Sequence, residues 1–300
     1  MTSDTTSSDR RFRVIDRLLL ILTALPLIVG LVLKVLTNPA SEGIAISGPR
    51  IYFTIPMPLQ ALPITESQVN SWLVILMMFF LCLYLTHGIK ERPGTRRQHL
   101  AEWIVEKTEG LVKENMGDYF AGFAPFIGAV LGLSAFSSLL SLLGLYAPTS
   151  DINISGGWAL LVFILITYYK YKCGPVHYLK SFAEPVPLLA PLNIISEVAT
   201  PVSMAFRHYG NVLSGAVIGI LVASGLQGLS AMLFGWLPGI WGEIPFLQIG
   251  IPAVLSVYFD LFSGCLQAFI FAMLSMLYVS GGFPAEEYEK RRAHKATAEK

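Results

Sequence analysis

A line of polar side chains recurs every three or four residues along an otherwise apolar stretch of this sequence. The line consists of Thr200, Ser203, Arg207, Asn211 and Ser214. Residues at this spacing share one face of an α-helix, so they would form a continuous polar stripe. A stripe of this kind among apolar residues indicates an aqueous ion path through a membrane, with the arginine as its fixed charge.

A second polar line lies near the carboxyl end of the sequence. It consists of Ser256, Asp260, Ser263 or Gly264, and Gln267, and Glu197 extends the first stripe upstream of Arg207. A carboxylate inside a membrane can bind and release a proton, so two facing stripes predict an ion path between them. The structural alternative is a buried ion pair between Arg207 and Asp260 that only joins the two helices. Ser and Asn residues also make interhelical hydrogen bonds without any transport role.

The composition places these stripes in a membrane protein. Of the 300 residues 54% are apolar and 14% are charged, where about 25% charged is usual, and the mean hydropathy is +0.60. Because a span needs about 20 apolar residues, we expect an all-α polytopic membrane protein with five or six membrane helices. The apolar runs are 18–36, 72–85, 120–146, 158–169, 186–226 and 247–279.

The last two runs are longer than a perpendicular span requires. At 1.5 Å per residue the run 247–279 would reach about 50 Å, against a hydrocarbon thickness of about 30 Å. We therefore expect two long, strongly tilted helices that form a hairpin. A separate amphipathic helix on the cytoplasmic surface is predicted around Leu100, Trp103 and Ile104, where apolar and charged residues alternate at helical spacing.

The basic residues predict the orientation of the chain. With six spans and a cytoplasmic amino terminus, all of the 21 Lys and Arg residues except Lys34, Arg50 and Arg207 fall in inside segments, which also makes the carboxyl terminus cytoplasmic. The first run, with four arginines before it, also fits a signal peptide, although it is longer than the usual one. We divide the chain into an amino-terminal extension over 1–70, with this run and an external segment, and a membrane domain over 71–300.

Several function classes are disfavoured by the sequence. The net charge of +1 gives no nucleic-acid surface, and no Walker-type phosphate loop is present. Cys82, Cys173 and Cys265 follow no ligand spacing, so neither a metal site nor a disulfide framework is predicted. No cofactor and no catalytic residue is expected.

Four segments resemble subunit a of the F-type ATP synthase. Residues 201–211 (PVSMAFRHYGN) resemble the family signature, and residues 266–271 (LQAFIF) resemble its last-helix motif. Residues 148–153 (PTSDIN) resemble its short external loop, and residues 184–193 resemble the approach to its long helix. The likeness covers about residues 70 to 282.

The resemblance implies a non-catalytic stator in the cell membrane that lies against a rotating ring of c subunits. Peripheral stalk b subunits and, indirectly, the F1 head would be its other protein partners. A proton is the favoured ion, and Na⁺ is the alternative, because the binding site of the ring largely sets the choice. Arg207 would attract the ring carboxylate and separate two half-channels. The implied external half-channel comprises Asn211, Ser214, Asp260 and Gln267, with Asp151 and Asn153 at its mouth. Glu197 and Ser203 would belong to the cytoplasmic one.

The sequence departs from the family pattern at three positions. His208 stands where leucine is common and is a further candidate for the path, since histidine titrates near neutral pH. Ala216 replaces a residue that titrates in some members, and Asp260 is shorter than the usual glutamate. The external relay would therefore depend on Asp260 and bound water.

Two other function classes fit parts of the pattern. A secondary transporter would use Arg207 to hold an anionic substrate, but it predicts an inverted repeat, which the sequence lacks. An intramembrane hydrolase needs a paired nucleophile and base, and no Ser/His or metal constellation accompanies Asp260 and Glu197.

Overall fold

The computed structural model describes residues 3–37, 48–58, 60–89, 94–172, 178, 182, 187–236, 245–248 and 250–283. Six helical segments in this part of the chain are long and apolar enough to cross a membrane, which confirms the predicted all-α polytopic architecture with six spans. The spans are Val14–Thr37, Glu66–Thr86, Asp118–Leu143, Ile152–Lys172, Pro187–Phe234 and Phe246–Gly281. Lys90, Arg92, Lys180 and the basic carboxyl-terminal tail, on which the predicted orientation partly depends, lie outside the described residues.

Eight α-helices build the described chain. They are α1 (Ser3–Thr37), α2 (Glu66–Thr86), α3 (Arg96–Met116), α4 (Ala124–Leu139), α5 (Ile152–Lys172), α6 (Ala190–Phe234), α7 (Ile251–Ser256) and α8 (Gly264–Gly281). The predicted surface helix corresponds to α3, on which Trp103 and Ile104 are exposed and Val112 is buried.

α2 and α6 differ in how their lengths compare with the thickness of the membrane. α2 has 21 residues, about 31 Å, which matches one crossing of the hydrocarbon layer. It begins where the Thr65 amide donates to Gln68 Oε1 at 3.3 Å. α6 has 45 residues, a contour length of about 68 Å. A helix of that length must tilt, bend or leave the bilayer.

Two details of the fold differ from the prediction. The segment before α2 forms an antiparallel pair of strands, β1 (Ile51–Ile55) and β2 (Leu62–Thr65), so the helical description holds for the spans but not for this segment. The run predicted as one long last helix is divided: α7 is followed by a π-helical segment, Val257–Ser263, and then by α8. The π-helical segment contains Asp260, and such segments are frequent at functional sites.

The chain forms two compact units. The first consists of residues 1–104, 132–151 and 210–267, and the second of residues 105–131, 152–209 and 268–300. In the first unit Val74, Leu140 and Leu145 form a small buried cluster. The second unit has a larger core, to which α3, α4, α5, α6 and α8 all contribute.

Polar contacts hold both ends of the first membrane span, Val14–Thr37, within the first unit. Near one end, Asp16 Oδ1 accepts hydrogen bonds from Arg97 at 2.6 Å and from the His87 ring at 3.0 Å. Near the other end, the Lys34 ammonium donates to the Gly144 carbonyl oxygen. The first span is therefore an integral wall of this unit.

Candidate functional site

Arg207 projects from an exposed face of α6. Its side chain is exposed, as is Ser203 one turn earlier, whereas Met204 and Ala205 on the neighbouring face are buried in the core of the second unit. No ion pair within 4.0 Å joins Arg207 to any residue that the structure describes. The arginine is therefore presented outward, without an ion pair to the part of the chain that the structure describes.

His208 lies on the core-facing side of α6. Its side chain is 0% exposed, and its ring centroid lies 6.0 Å from that of Trp158 and 5.5 Å from that of Phe271. Although it follows Arg207 directly, it packs among aromatic rings and not on the exposed polar face. This packing fixes the rotation of α6 at the position of the arginine.

A polar cavity of about 570 Å³ opens within the second unit. Its polar lining residues are Lys170, Tyr178, Asn193, Ser196, Glu197 and Thr200. The Lys170 ammonium donates to both oxygens of Glu197, at 2.9 and 2.7 Å. The two side chains are 24% and 13% exposed, so the pair is largely withdrawn from solvent. Glu197 thus has a fixed counter-ion at the cavity wall.

Gly282 and Tyr178 also line this cavity. A Cβ atom added to Gly282 would lie 2.6 Å from the Cε atom of Lys170, so any larger residue there would require the lysine stem to shift. Burial, together with the negative charge of Glu197, raises the pKa of the Tyr178 phenol. The lining at this end therefore keeps Tyr178 neutral.

A second cavity, of about 520 Å³, opens within the first unit. Asp260 lines it together with the small residues Gly215 and Ala216 of α6. Gly215 is packed tightly, since an added Cβ atom would lie 3.0 Å from the Cβ of Phe259. The other polar lining residues are Lys34, Arg50, Glu66, Ser141, Ser150 and Ser256.

The two predicted polar stripes meet at Asn211. Its amide nitrogen donates to the Ser263 hydroxyl oxygen at 2.9 Å, and its amide oxygen accepts from the same hydroxyl at 3.0 Å. Gln267 is buried, with 6% of its surface exposed, whereas Ser214 is exposed. Of the four residues predicted for the external half-channel, only Asp260 lines this cavity.

The two residues predicted at the channel mouth lie in different units. Asp151 is buried in the first unit and accepts a hydrogen bond from the Ser67 hydroxyl. Ser150, and not Asp151, lines the cavity. Asn153 is exposed in the first turn of α5, in the second unit.

Two residues of these cavities were missed by the sequence reasoning. The sequence predicts for Lys170 only a position on the cytoplasmic side. Its partner Glu197 lies 27 residues away, and no periodic pattern links the two residues. Glu66 stands six residues before the apolar run 72–85, and an acidic residue in that position is typical of the first turn of a helix. That position was the one available signal, and it does not distinguish a helix-capping acid from a cavity-lining one.

Comparison with known proteins gives one consistent result. The profile of the ATP synthase A chain family matches residues 68–280. The ATP synthase subunit a of Legionella pneumophila strain Corby is 26% identical over 232 residues, which are 77% of this chain and 91% of that protein. The subunit a of Macrococcus caseolyticus is 31% identical over 217 residues, 68% of this chain and 83% of that protein. A sodium ion specific subunit a from Propionigenium modestum is 26% identical over 275 residues, 81% and 88% of the two chains.

Proposed function

The chain belongs to the ATP synthase A chain family, and we propose that it carries protons through two half-channels against a rotating c-ring. Family membership makes it a multi-pass, non-catalytic subunit of the membrane sector Fo. The half-channels, the coupling to rotation and the individual site residues are the content of the proposal.

The proposal depends chiefly on one observation: Arg207 is exposed within a membrane-spanning helix and forms no ion pair with any described residue. An arginine at the bilayer centre costs about 3 kcal/mol on insertion scales unless it finds a partner or a water-filled cavity. Since no described residue of this chain forms an ion pair with it, a carboxylate on a neighbouring subunit is the natural counter-ion. A c-ring presents such carboxylates one after another. Arg207 would hold each in its ionised form and prevent ions from passing straight between the half-channels.

The cytoplasmic half-channel is assigned to the cavity of the second unit. Glu197 and Lys170 form its charged wall, with Thr200 beside them. Ser203 is exposed one turn before Arg207 and would lie at the inner end of this path. The placement on the cytoplasmic side follows the positive-inside distribution of Lys and Arg. We accordingly propose a cell-membrane protein with both termini in the cytoplasm.

The external half-channel is assigned to the cavity of the first unit, with Asp260 as its proton-binding group. The hydrogen-bonded pair of Asn211 and Ser263 and the buried Gln267 would support its inner wall, with Ser214 on the exposed side. Asp151 and Asn153 remain proposed for the region of its mouth, and His208 contributes by fixing α6. The peripheral stalk b subunits and, through them, the F1 head complete the proposed assembly.

The test is ATP-driven proton pumping by inverted membrane vesicles that contain the Arg207→Ala variant. We expect pumping to be lost while the head still hydrolyses ATP. Arg96→Ala is the matched control, because Arg96 is exposed at the start of α3 and lines neither of the two cavities described above. Normal pumping by Arg207→Ala would refute the assigned role.

Two further measurements separate the proposal from its alternatives. A tag on this chain is expected to copurify a ring, a peripheral stalk and a soluble ATPase head. A secondary transporter would purify alone or as a small oligomer. Pumping in sodium-free buffer is expected for a proton path, and a requirement for sodium would contradict that choice of ion.

A further inference from the structure

Part of the first-unit cavity is built by sequence that precedes the family match. Lys34, Gly48, Arg50 and Glu66 all line this cavity, whereas the family profile begins at residue 68. The amino-terminal extension therefore forms one wall of the cavity. It also supplies every charged lining residue except Asp260.

Glu66 is held firmly at this wall. It is the first residue of α2 and only 9% of its surface is exposed. Its backbone amide donates to the Arg50 carbonyl oxygen at 2.7 Å. The next residue, Ser67, donates to the carboxylate of Asp151 and is completely buried. The backbone on both sides of Glu66 is thus fixed, and its side chain faces the same cavity as Asp260.

Two cations are anchored near this carboxylate. An Arg50 guanidinium nitrogen donates to the Thr37 carbonyl oxygen at 2.8 Å, and the Lys34 ammonium donates to the Gly144 carbonyl oxygen. Both side chains line the cavity with Glu66. Charged groups of both signs from the amino-terminal extension therefore line this cavity.

Tyr52 lies within electrostatic range of Glu66. The pKa of its phenol is raised by burial and, next, by the negative charge of Glu66, while the Thr37 hydrogen bond and Arg50 oppose the rise.

We propose that Glu66 is the proton-uptake site of the external half-channel, a role that rests on the function proposed above. Its carboxylate takes a proton from external water and forms the neutral acid. It then releases that proton through the cavity toward the carboxylate of Asp260 and returns to its charged form. A charged cleft also raises the local concentration of the ion that it attracts. The amino-terminal extension thereby determines the rate at which protons enter the external half-channel when the external proton concentration is low.

The test uses the assembled synthase in vesicles with Glu66→Gln, which preserves shape and removes the charge. We expect the initial rate of proton-driven ATP synthesis to fall about tenfold at alkaline external pH, the lower end of the effect of a charged cleft on association rates. At acidic external pH, where protons are abundant, the loss is expected to be much smaller. Glu66→Asp should recover most of the rate.

The matched control is Glu106→Gln, on an exposed carboxylate of α3 that lines neither cavity. Equal amounts of subunit in the purified complex establish that Glu66→Gln assembles. An unchanged external pH profile in Glu66→Gln, with pumping still abolished by Arg207→Ala, would overturn this inference alone. A uniform loss at every external pH would also overturn it. Normal pumping by Arg207→Ala would instead refute the proposed function on which this inference depends.

Discussion

The ion pair between Lys170 and Glu197 makes a quantitative prediction about stability. At 2.7 Å and an effective dielectric constant of about 20, the two charges attract by about 6 kcal/mol. Desolvation of both groups offsets much of this attraction, so replacing both partners by neutral groups is often nearly neutral. Removing one partner leaves a largely buried charge unpaired, which costs about 3–5 kcal/mol. We therefore expect Lys170→Gln and Glu197→Gln to be strongly destabilising and the double variant to be less so than Lys170→Gln alone.

The assay is the thermal unfolding midpoint of the detergent-solubilised protein, followed by intrinsic fluorescence. A loss of 3 kcal/mol corresponds to roughly 6–12 °C for a domain of 150–250 residues. Lys113→Gln is the matched control, because the Lys113 pair with Asp118 has a similar distance of 3.0 Å but exposures of 69% and 83%. A pair so exposed contributes about 0–1 kcal/mol. Equal shifts for Lys170→Gln and Lys113→Gln, or additive effects in the double variant, would refute the reasoning.

Three other predictions follow from individual contacts. Gly282→Ala is expected to lower the thermal unfolding midpoint, as Lys170→Gln does, because its methyl group would displace the lysine stem. An unchanged midpoint in Gly282→Ala would contradict this prediction. Asn211→Leu should lower the free energy of unfolding by about 1–3 kcal/mol, since it leaves the Ser263 hydroxyl unsatisfied. Adding Ser263→Ala is expected to cause little further loss, and unfolding of both single variants and the double variant measures this. Because Asp16 and Lys34 hold both ends of the first span, Val14–Thr37, the mature subunit should retain this span. The intact mass of the purified chain tests this, and a mass that lacks the span would identify a signal peptide instead.

The membrane helices could be predicted from the sequence because their signal is local. A run of apolar residues long enough to cross the bilayer identifies a span without reference to the rest of the chain. The outward face of α6 follows from the same kind of local information. Arg207 and Ser203 recur at helical spacing and are both exposed.

The features that were missed depend on contacts between distant residues. Lys170 and Glu197 stand on different helices, and only the fold of the second unit brings them together. The π-helical segment around Asp260 has no distinctive composition, since a π turn is defined by its i→i+5 hydrogen bonds and not by residue type. Asp151 belongs to the predicted polar loop, yet Ser67 satisfies it in a buried position.

The site residues differ in how their charges are compensated, and this difference bears on the mechanism. Glu197 is neutralised by Lys170 within the second unit, and Asp260 shares its cavity with the cations Lys34 and Arg50. Arg207 alone among these is exposed without an ion pair to any described residue. A charge already paired within the chain would be unable to attract a passing carboxylate without first losing its own partner. Because no described residue forms an ion pair with Arg207, its full attraction is left for a carboxylate that arrives from outside the chain, as the proposed rotating ring would require.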